Sequence, residues 1–463
     1  MIAVLATACI PVAEKPVQPA SPIPVAEKPV QPTSPNIVFI FADDWGWGDL
    51  SSHGHPWLKT PHLDLLAREG IDFHQFNVLN PVCSPSRAAA LTGQYPARYS
   101  IHEHFFPGID ALRGMPDWLD PKAPTIARFL KKAGYRTAHF GKWNLTVTDA
   151  VGAPDPTAYG FDEFSVFSGP SKWKVAGFHD AAQNAVRFIH TNKDRPFFVD
   201  VWLHEVHTPH VPTQESLRQW KKLDEQKRVY AAVVTDGDKD VGKILAALKD
   251  AGVEQNTIVL FASDNGPEVT GQDKQRGVGL GTFYSVGSTG GLKGRKRSLF
   301  EGGVRTPFIV RWPGHTPAGR VDRTSVIAAV DFLPTLCAAA GITLPASYRG
   351  DGENRLPAIT GKPTPRTKPL LWEWRGNSDG PNWPRLGVRA GNWKLVMTYD
   401  KSRVELYNVV KDLAEAKDVA ADHPDIVKRL TKMALDWKAT LPKSPPACCR
   451  SKAASFSTSE PEN

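Results

Sequence analysis

Residues Ile37, Val38, Phe39, Ile40 and Phe41 form an unbroken apolar run that ends at Asp43 and Asp44. A strand with one wet face alternates apolar and polar side chains, so a continuous run demands cover on both faces and marks the centre of a parallel sheet. Buried strands are also predicted over 136–140, 196–203 and 257–261. Helices are predicted over 60–69, with Pro61 in the first turn, and over 123–133, 181–191 and 228–250. Strand and helix alternating in this way build a mostly parallel sheet with helices on both sides. Functional groups in such sheets collect at the carboxyl ends of the strands. Asp43 and Asp44, Lys142, His204 and His207, and Asp264 with Asn265 all follow predicted strands directly, which places them at one shared site.

The flanks differ in character. Residues 1–35 open with a short apolar stretch and Ala6-Thr7-Ala8-Cys9, a faint lipobox, followed by a repeated Pro-rich unit. Eight prolines between 11 and 35 make this an extended spacer, consistent with an exported or membrane-anchored protein. Residues 36–365 form the main domain, and 263–303 are read as a long functional loop. Over 366–441 short strands predicted at 370–374, 386–389, 393–397 and 405–408, then a helix at 424–438, form a small α+β subdomain. Residues 442–463 are polar and Pro-rich and are expected to be a disordered tail.

With 41% hydrophobic and 22% charged residues the chain reads as a soluble globular protein, and no further segment is apolar enough to span a membrane. The net charge of +8 favours anionic partners, yet no nucleic-acid motif is present. The densest basic stretch, 293–311, reads equally as a solvated loop or as part of a site. The five cysteines show neither metal spacing nor a disulfide framework; Cys337 lies in an apolar helix and is assigned to the core, while Cys448 and Cys449 are unexplained.

Cys83 is followed by Pro85 and Arg87 and then by Ala88, Ala89, Ala90 and Leu91, which places the cysteine at a helix start. Backbone N–H groups and the positive end of the helix dipole converge there and favour an anion, with Arg87 one turn on, roughly 6 Å along the axis. A lone cysteine is ordinarily a buried structural thiol. The whole run from Cys83 to Gly93, however, resembles the signature of the type I sulfatases of the alkaline phosphatase superfamily, in which this cysteine is oxidised to formylglycine, the nucleophile.

That resemblance, extending over about residues 36–438, implies an alkaline-phosphatase-like fold: a large mixed, mostly parallel sheet sandwiched by helices, with a small C-terminal antiparallel sheet and helix. It implies that Asp43, Asp44, Asp264 and Asn265, with the Cys83 position completing the shell, hold Ca²⁺, Mg²⁺ being the second choice. These are oxygen donors of the kind hard cations take. Gly141-Lys142-Trp143 resembles the family segment whose lysine contacts sulfate. His207, in Val206-His207-Thr208-Pro209, matches the histidine near the leaving oxygen, and Lys296 the lysine five residues before Glu301-Gly302-Gly303. Arg87, Lys142 and Lys296 would neutralise the sulfuryl oxygens, and His207 or Lys296 would protonate the leaving alcohol. Glu301 and Arg305 are read as braces for the loop.

Asn144 departs from the pattern, standing where the family has a histidine that helps discharge the formylglycine hydrate; asparagine cannot act as a base. It either reshapes the pocket for a particular sugar, the favoured reading, or leaves the step to another base, with His139, His102 and His104 as candidates. His102-Glu103-His104, Trp173 and Trp383 could face the pocket and are not assigned. The expected activity is hydrolysis of sulfate esters on a sulfated carbohydrate, with a formylglycine-generating enzyme as maturation partner. The alternatives are a phosphonate or phosphodiester hydrolase of the same superfamily and a non-catalytic glycan-binding protein.

Overall fold

The computed structural model describes residues 34–148, 150–167, 177, 179–270, 285–377 and 380–451. The expected export segment, most of the Pro-rich spacer and Trp173 therefore lie outside the described residues.

Strands β1 (Asn36–Ala42), β2 (Ile71–Phe73), β3 (Phe76–Asn77), β4 (Arg136–Gly141), β5 (Glu163–Val166), β6 (Phe197–Trp202), β7 (Thr257–Ser263), β8 (Phe308–Arg311), β9 (Arg320–Asp322) and β10 (Ile327–Ala328) follow in chain order. Eight of them make one sheet in the order β5-β4-β6-β1-β7-β8-β2-β9, and β10 pairs with β3 apart from it. The first five neighbours run parallel, whereas β8 is antiparallel to both β7 and β2. β1 lies in the middle of the parallel block, paired on both edges, as its apolar run requires.

The two faces of β1 separate by parity. Ile37, Phe39 and Phe41 enter one core, Val38, Ile40 and Ala42 the other. Helices α1 (Pro61–Glu69), α4 (Asp180–Asn192) and α6 (Glu225–Asp250) cover the second face through side chains such as Leu63, Phe188 and Val234. On the first face lie α2 (Cys83–Thr92), α3 (Ile126–Lys132) and α8 (Phe332–Ala339), where Cys337 is fully buried as expected. Between these fall the short helices α5 (Gln214–Gln219) and α7 (Glu301–Val304).

After helix α9 (Leu356–Ile359), strands β11 (Leu370–Glu373), β12 (Leu386–Ala390), β13 (Trp393–Met397) and β14 (Val404–Asn408) form an antiparallel sheet in that order, with α10 (Pro424–Ala439) following. This sheet is tied to the main body: Trp372 Nε1 donates to the Val78 carbonyl at 2.7 Å, and Asn80 Nδ2 to the Glu373 carbonyl at 3.0 Å.

The expected disordered tail is corrected in part. Residues 442–451 are placed against the body, because the Asp117 N–H donates to the Cys449 carbonyl at 2.7 Å and the Cys449 side chain is buried. Cys448 stays exposed, its sulfur 3.2 Å from that of Cys449. The basic stretch 293–311 is not a solvated loop either. Lys296, Arg305 and Arg311 are buried, the last two paired with Glu301 and with Glu254 and Glu69.

Candidate active site

The loops after β1, β4, β6 and β7 converge with the start of α2. Asp44 takes a left-handed conformation, φ 61°, which turns its carboxylate back toward Asp43 and its N–H toward Asp264 Oδ1 at 3.2 Å. Helix α2 begins at Cys83 with Val82 as an uncapped N-cap, so no side chain competes for its first N–H groups. It ends at Gly93, φ 67°, where a Cβ would lie 2.3 Å from the Tyr348 hydroxyl. Gly266, after Asn265, permits another close approach: a Cβ there would sit 1.9 Å from the Gly302 carbonyl, and its N–H donates to the Gly303 carbonyl at 2.9 Å. The glycines flanking Asn265 and Glu301 thus let the two loops touch through backbone alone.

Around this frame Cys83 Sγ faces Asp43 Oδ1 at 3.4 Å. Lys142 Nζ and His204 Nδ1 lie 2.6 and 2.5 Å from Asp43 Oδ2. Lys296 Nζ lies 2.6 Å from Asp44 Oδ2, with His207 Nε2 at 3.8 Å from the same oxygen. Asn265 Nδ2 donates to Asp44 Oδ1 at 2.6 Å. Ligand atoms of Asp43, Asp44, Cys83 and His207 all fall within 4.8 Å of one another.

Arg87 is brought to the cluster but not to the cavity. Its Nη2 pairs with Asp264 Oδ2 at 2.6 Å and reaches Asp43 Oδ1 at 3.4 Å, while its guanidinium lies 4.8 Å from the Trp202 ring. One turn along a fully buried helix carries Arg87 behind the acids, away from the residues that line the cavity.

A cavity of about 400 Å³ opens over Cys83, lined by Lys142, Asn144, His207 and Lys296 among others. His104 and Phe106 also line it, and Glu268, paired with Arg297 at 2.6 Å, adds an acid that sequence reasoning missed. His204, placed at the shared site by its position directly after a predicted strand but given no role there, is a partner of Asp43 Oδ2. Asn144, φ 51°, accepts from Ser84 Oγ at 2.8 Å, locking it beside Cys83. Of the candidate replacement bases only His104 lines the cavity. His139 is buried beside Trp143 and Trp202 with Asp200 at 3.4 Å, and His102 is buried 3.2 Å from Glu373. Trp383 is buried against Phe300 and Arg403 and does not line the cavity.

Burial works against charge on Asp43, but Lys142 and Arg87, with the hydrogen bond from His204, outweigh it and hold its carboxyl well below the usual range. Burial, reinforced by Asp43, raises Asp44 despite Lys296. Desolvation and the facing Lys142 and Lys296 press His207 well below its ordinary value, so its ring is neutral near pH 7. Burial and the nearby Asp43 push the Cys83 thiol well above its usual value. A nucleophilic cysteine needs the reverse, a thiol lowered toward its thiolate.

The residues fit a hard dication. Asp43, Asp44 and Asp264 converge with the Asn265 amide, and Asn265 Oδ1 is buried with no hydrogen-bond partner among the described residues. Such an orphaned acceptor is costly unless a cation or water occupies it.

A family model for sulfatases matches residues 35–342, and one described as N-sulphoglucosamine sulphohydrolase, C-terminal, matches 294–439. N-acetylgalactosamine-6-sulfatase of Mus musculus is 33% identical over 400 residues, covering 78% of this chain and 71% of its own. N-acetylgalactosamine-6-O-sulfatase of Bacteroides thetaiotaomicron is 27% identical, covering 86% of this chain and 92% of its own. The crystal structure of Ps i-CgsB in complex with k-i-k-neocarrahexaose superposes with a TM-score of 0.76 at 25% identity, covering 89% and 95% of the two chains. The chain spans 65–71% of the length of the mammalian N-acetylgalactosamine-6-sulfatases it matches. A mostly parallel sheet covered by helices, with a small antiparallel C-terminal sheet, is the fold of the alkaline-phosphatase-like sulfatases. The chain belongs to the sulfatase family and is a sulfatase.

Proposed function

We propose that this enzyme hydrolyses sulfate esters on a carbohydrate, using Cys83 as formylglycine and Ca²⁺ held by Asp43, Asp44, Asp264 and Asn265. The observation that carries this reading is the placing of a buried thiol at an uncapped helix start, against an acid cluster and beneath a lysine-lined cavity. A thiol so far from ionisation has no nucleophilic role as it stands, and oxidation to an aldehyde converts the same position into one. When present, the aldehyde hydrate supplies the attacking hydroxyl and the dication polarises a sulfate oxygen.

The chain's own residues supply the rest. Lys142 and Lys296 present ammonium groups to the anionic sulfate, and Arg87 holds Asp43 and Asp264 in place from behind. Neutral His207 can accept a proton or hydrogen bond. Asp44 raises the pKa of Lys296 against the effect of burial, so Lys296 carries the proton available to the leaving oxygen. Asn144 offers an amide beside Cys83 for a sugar hydroxyl. The carbohydrate class draws support from the sugar-directed names of the relatives.

The test is peptide mass spectrometry of Cys83 from protein made with a formylglycine-generating enzyme, paired with sulfate release from sulfated oligosaccharides, aryl sulfates and phosphodiesters. Fully active protein carrying only unmodified Cys83 would refute the nucleophile. Faster turnover of phosphodiesters than of every sulfate ester would favour the phosphoesterase reading.

A further inference from the structure

Outside that site, the loop following Asp44 meets strand β2 at two histidines and an aspartate. His53 Nε2 lies 2.9 Å from Asp72 Oδ2, and His74 Nε2 lies 3.4 Å from the same oxygen. Donor atoms of the three residues all fall within 4.8 Å of one another. We propose that His53, Asp72 and His74 form a second metal site, for a transition-metal dication of the zinc type, sharing no residue with the acid cluster.

The tautomer of His53 is fixed by its far nitrogen. Its Nδ1 is 2.6 Å from the Trp47 carbonyl, an oxygen that only accepts, so Nδ1 carries a hydrogen. The neutral ring then turns the lone pair of Nε2 onto a carboxylate oxygen, an arrangement that repels unless a cation stands between them. That cation is a proton or a metal ion. A second imidazole nitrogen, that of His74, reaches the same oxygen and can turn either an N–H or a lone pair to it. Two features favour the metal. Asp72 is buried, and its Oδ1 has no hydrogen-bond partner among the described residues. A carbonyl receiving the far N–H of a histidine is also the usual support of a metal-bound imidazole.

The spacing agrees with this. Bonds of about 2.0–2.1 Å in a tetrahedral zinc site put neighbouring donor atoms ~3.3 Å apart, between the two separations found here. The carriers are held before any ion arrives. Asp72 pairs with β8 on one side and β9 on the other, the His74 N–H donates to the Asp322 carbonyl at 2.8 Å, and His53 stacks on Trp47 at 4.2 Å. The His53 side chain is fully buried whereas that of His74 is 16% exposed, which leaves an entry path and room for a water as fourth ligand. Imidazole donors select against Ca²⁺, so the two centres sort different ions. The ion would staple the segment carrying Trp47 and His53 to the sheet.

The experiment holds the full-length protein in saturating Ca²⁺ and titrates Zn²⁺ by calorimetry, with Co²⁺ absorption as an optical probe. Wild type should take up one further ion. His74→Ala and Asp72→Asn should each weaken that uptake by at least about tenfold, as loss of metal-site support does. A zinc-soaked wild-type crystal should show an anomalous peak among the three side chains, a result independent of how the variants fold. No peak there, or equal uptake by wild type and both variants, overturns the proposal in favour of a protonated His53.

Discussion

Lys394→Met provides a quantitative test of how the C-terminal sheet supports the catalytic loop. Lys394, on β13, reaches Glu301 Oε1 at 2.8 Å and Glu415 Oε1 at 3.1 Å, all three side chains being fully buried. Glu301 also holds Arg305, and its N–H donates to Glu415 Oε2, so the lysine joins the sheet to the loop that carries Lys296 five residues earlier. Methionine keeps the volume and removes the charge. Glu301 retains Arg305, whereas Glu415 keeps only a backbone donor, and a buried charge left unpaired costs about 3–5 kcal/mol. Burial lifts Glu415 to about 7 although Lys394 draws it down, with Glu301 adding to the rise. A carboxyl raised in the fold contributes stability below its unfolded pKa and loses it as pH rises through its folded pKa. Without Lys394 that folded pKa climbs above 7, so the variant's deficit is small at pH 6 and grows by about 1.4 kcal/mol per pH unit above pH 7. At ~2.1 cal/mol/K per residue, a folded body of about 400 residues has an unfolding entropy near 0.9 kcal/mol/K, and the deficit corresponds to ~3–6 °C in Tm. Thermal scans of both proteins at one scan rate, from pH 6 to 9, read this directly. A Tm difference that stays flat with pH, or below about 1 °C throughout, would show that the lysine does not neutralise this pair.

Other substitutions probe the site itself. Arg87→Lys keeps a charge but falls short of the Nη2 position that contacts both Asp264 and Asp43, and should lower kcat/KM by ~100-fold or more together with Ca²⁺ affinity; unchanged Ca²⁺ titration would separate the arginine from the metal ligands. Asn265→Ala removes both the donor to Asp44 and the orphaned oxygen, and should weaken Ca²⁺ binding at least about tenfold by calorimetry, with the fold retained by circular dichroism. Asn144→His should alter substrate preference and KM across a panel of sulfated sugars, since Asn144 is fixed beside Cys83 by Ser84. A pre-steady-state burst in wild type that vanishes in Asn144→His would instead identify a missing base.

The central strands and long helices were legible because their apolar runs are long enough to carry a period. The bounds of β13 match the predicted strand, and β1 and α4 match within a residue or so. Strands β2, β3, β9 and β10 were not read. They hold only two or three residues each, too short for a period, and form because neighbouring strands offer them an edge. At the site, Asp43, Cys83, Lys142, His207 and Lys296, named by their motifs, lie near one another, but spacing says nothing of depth. Arg87 and Lys142 look equivalent in the sequence, and only the packing of α2 puts one behind the acids and the other in the cavity wall. Glu268 carries no local signal, and its place arises from loops that meet in three dimensions; His104 is a candidate, but nothing in the sequence sets it apart from His102 and His139.

The same packing gives the catalytic pocket an internal charge balance. Asp43, Asp44 and Asp264 face Arg87, Lys142 and Lys296, three acids against three bases, so the chain supplies counter-ions of its own. Burial still holds Asp44 and Asp264 above the usual carboxylate range. A dication settling on them leaves the pocket two charges in surplus, and at an effective dielectric near 20 a single anionic oxygen 4 Å away gains about 4 kcal/mol per charge. Loading is thus what turns a neutral, closed-shell cluster into an anion trap, and the enzyme should hold free sulfate, its own product, only when loaded.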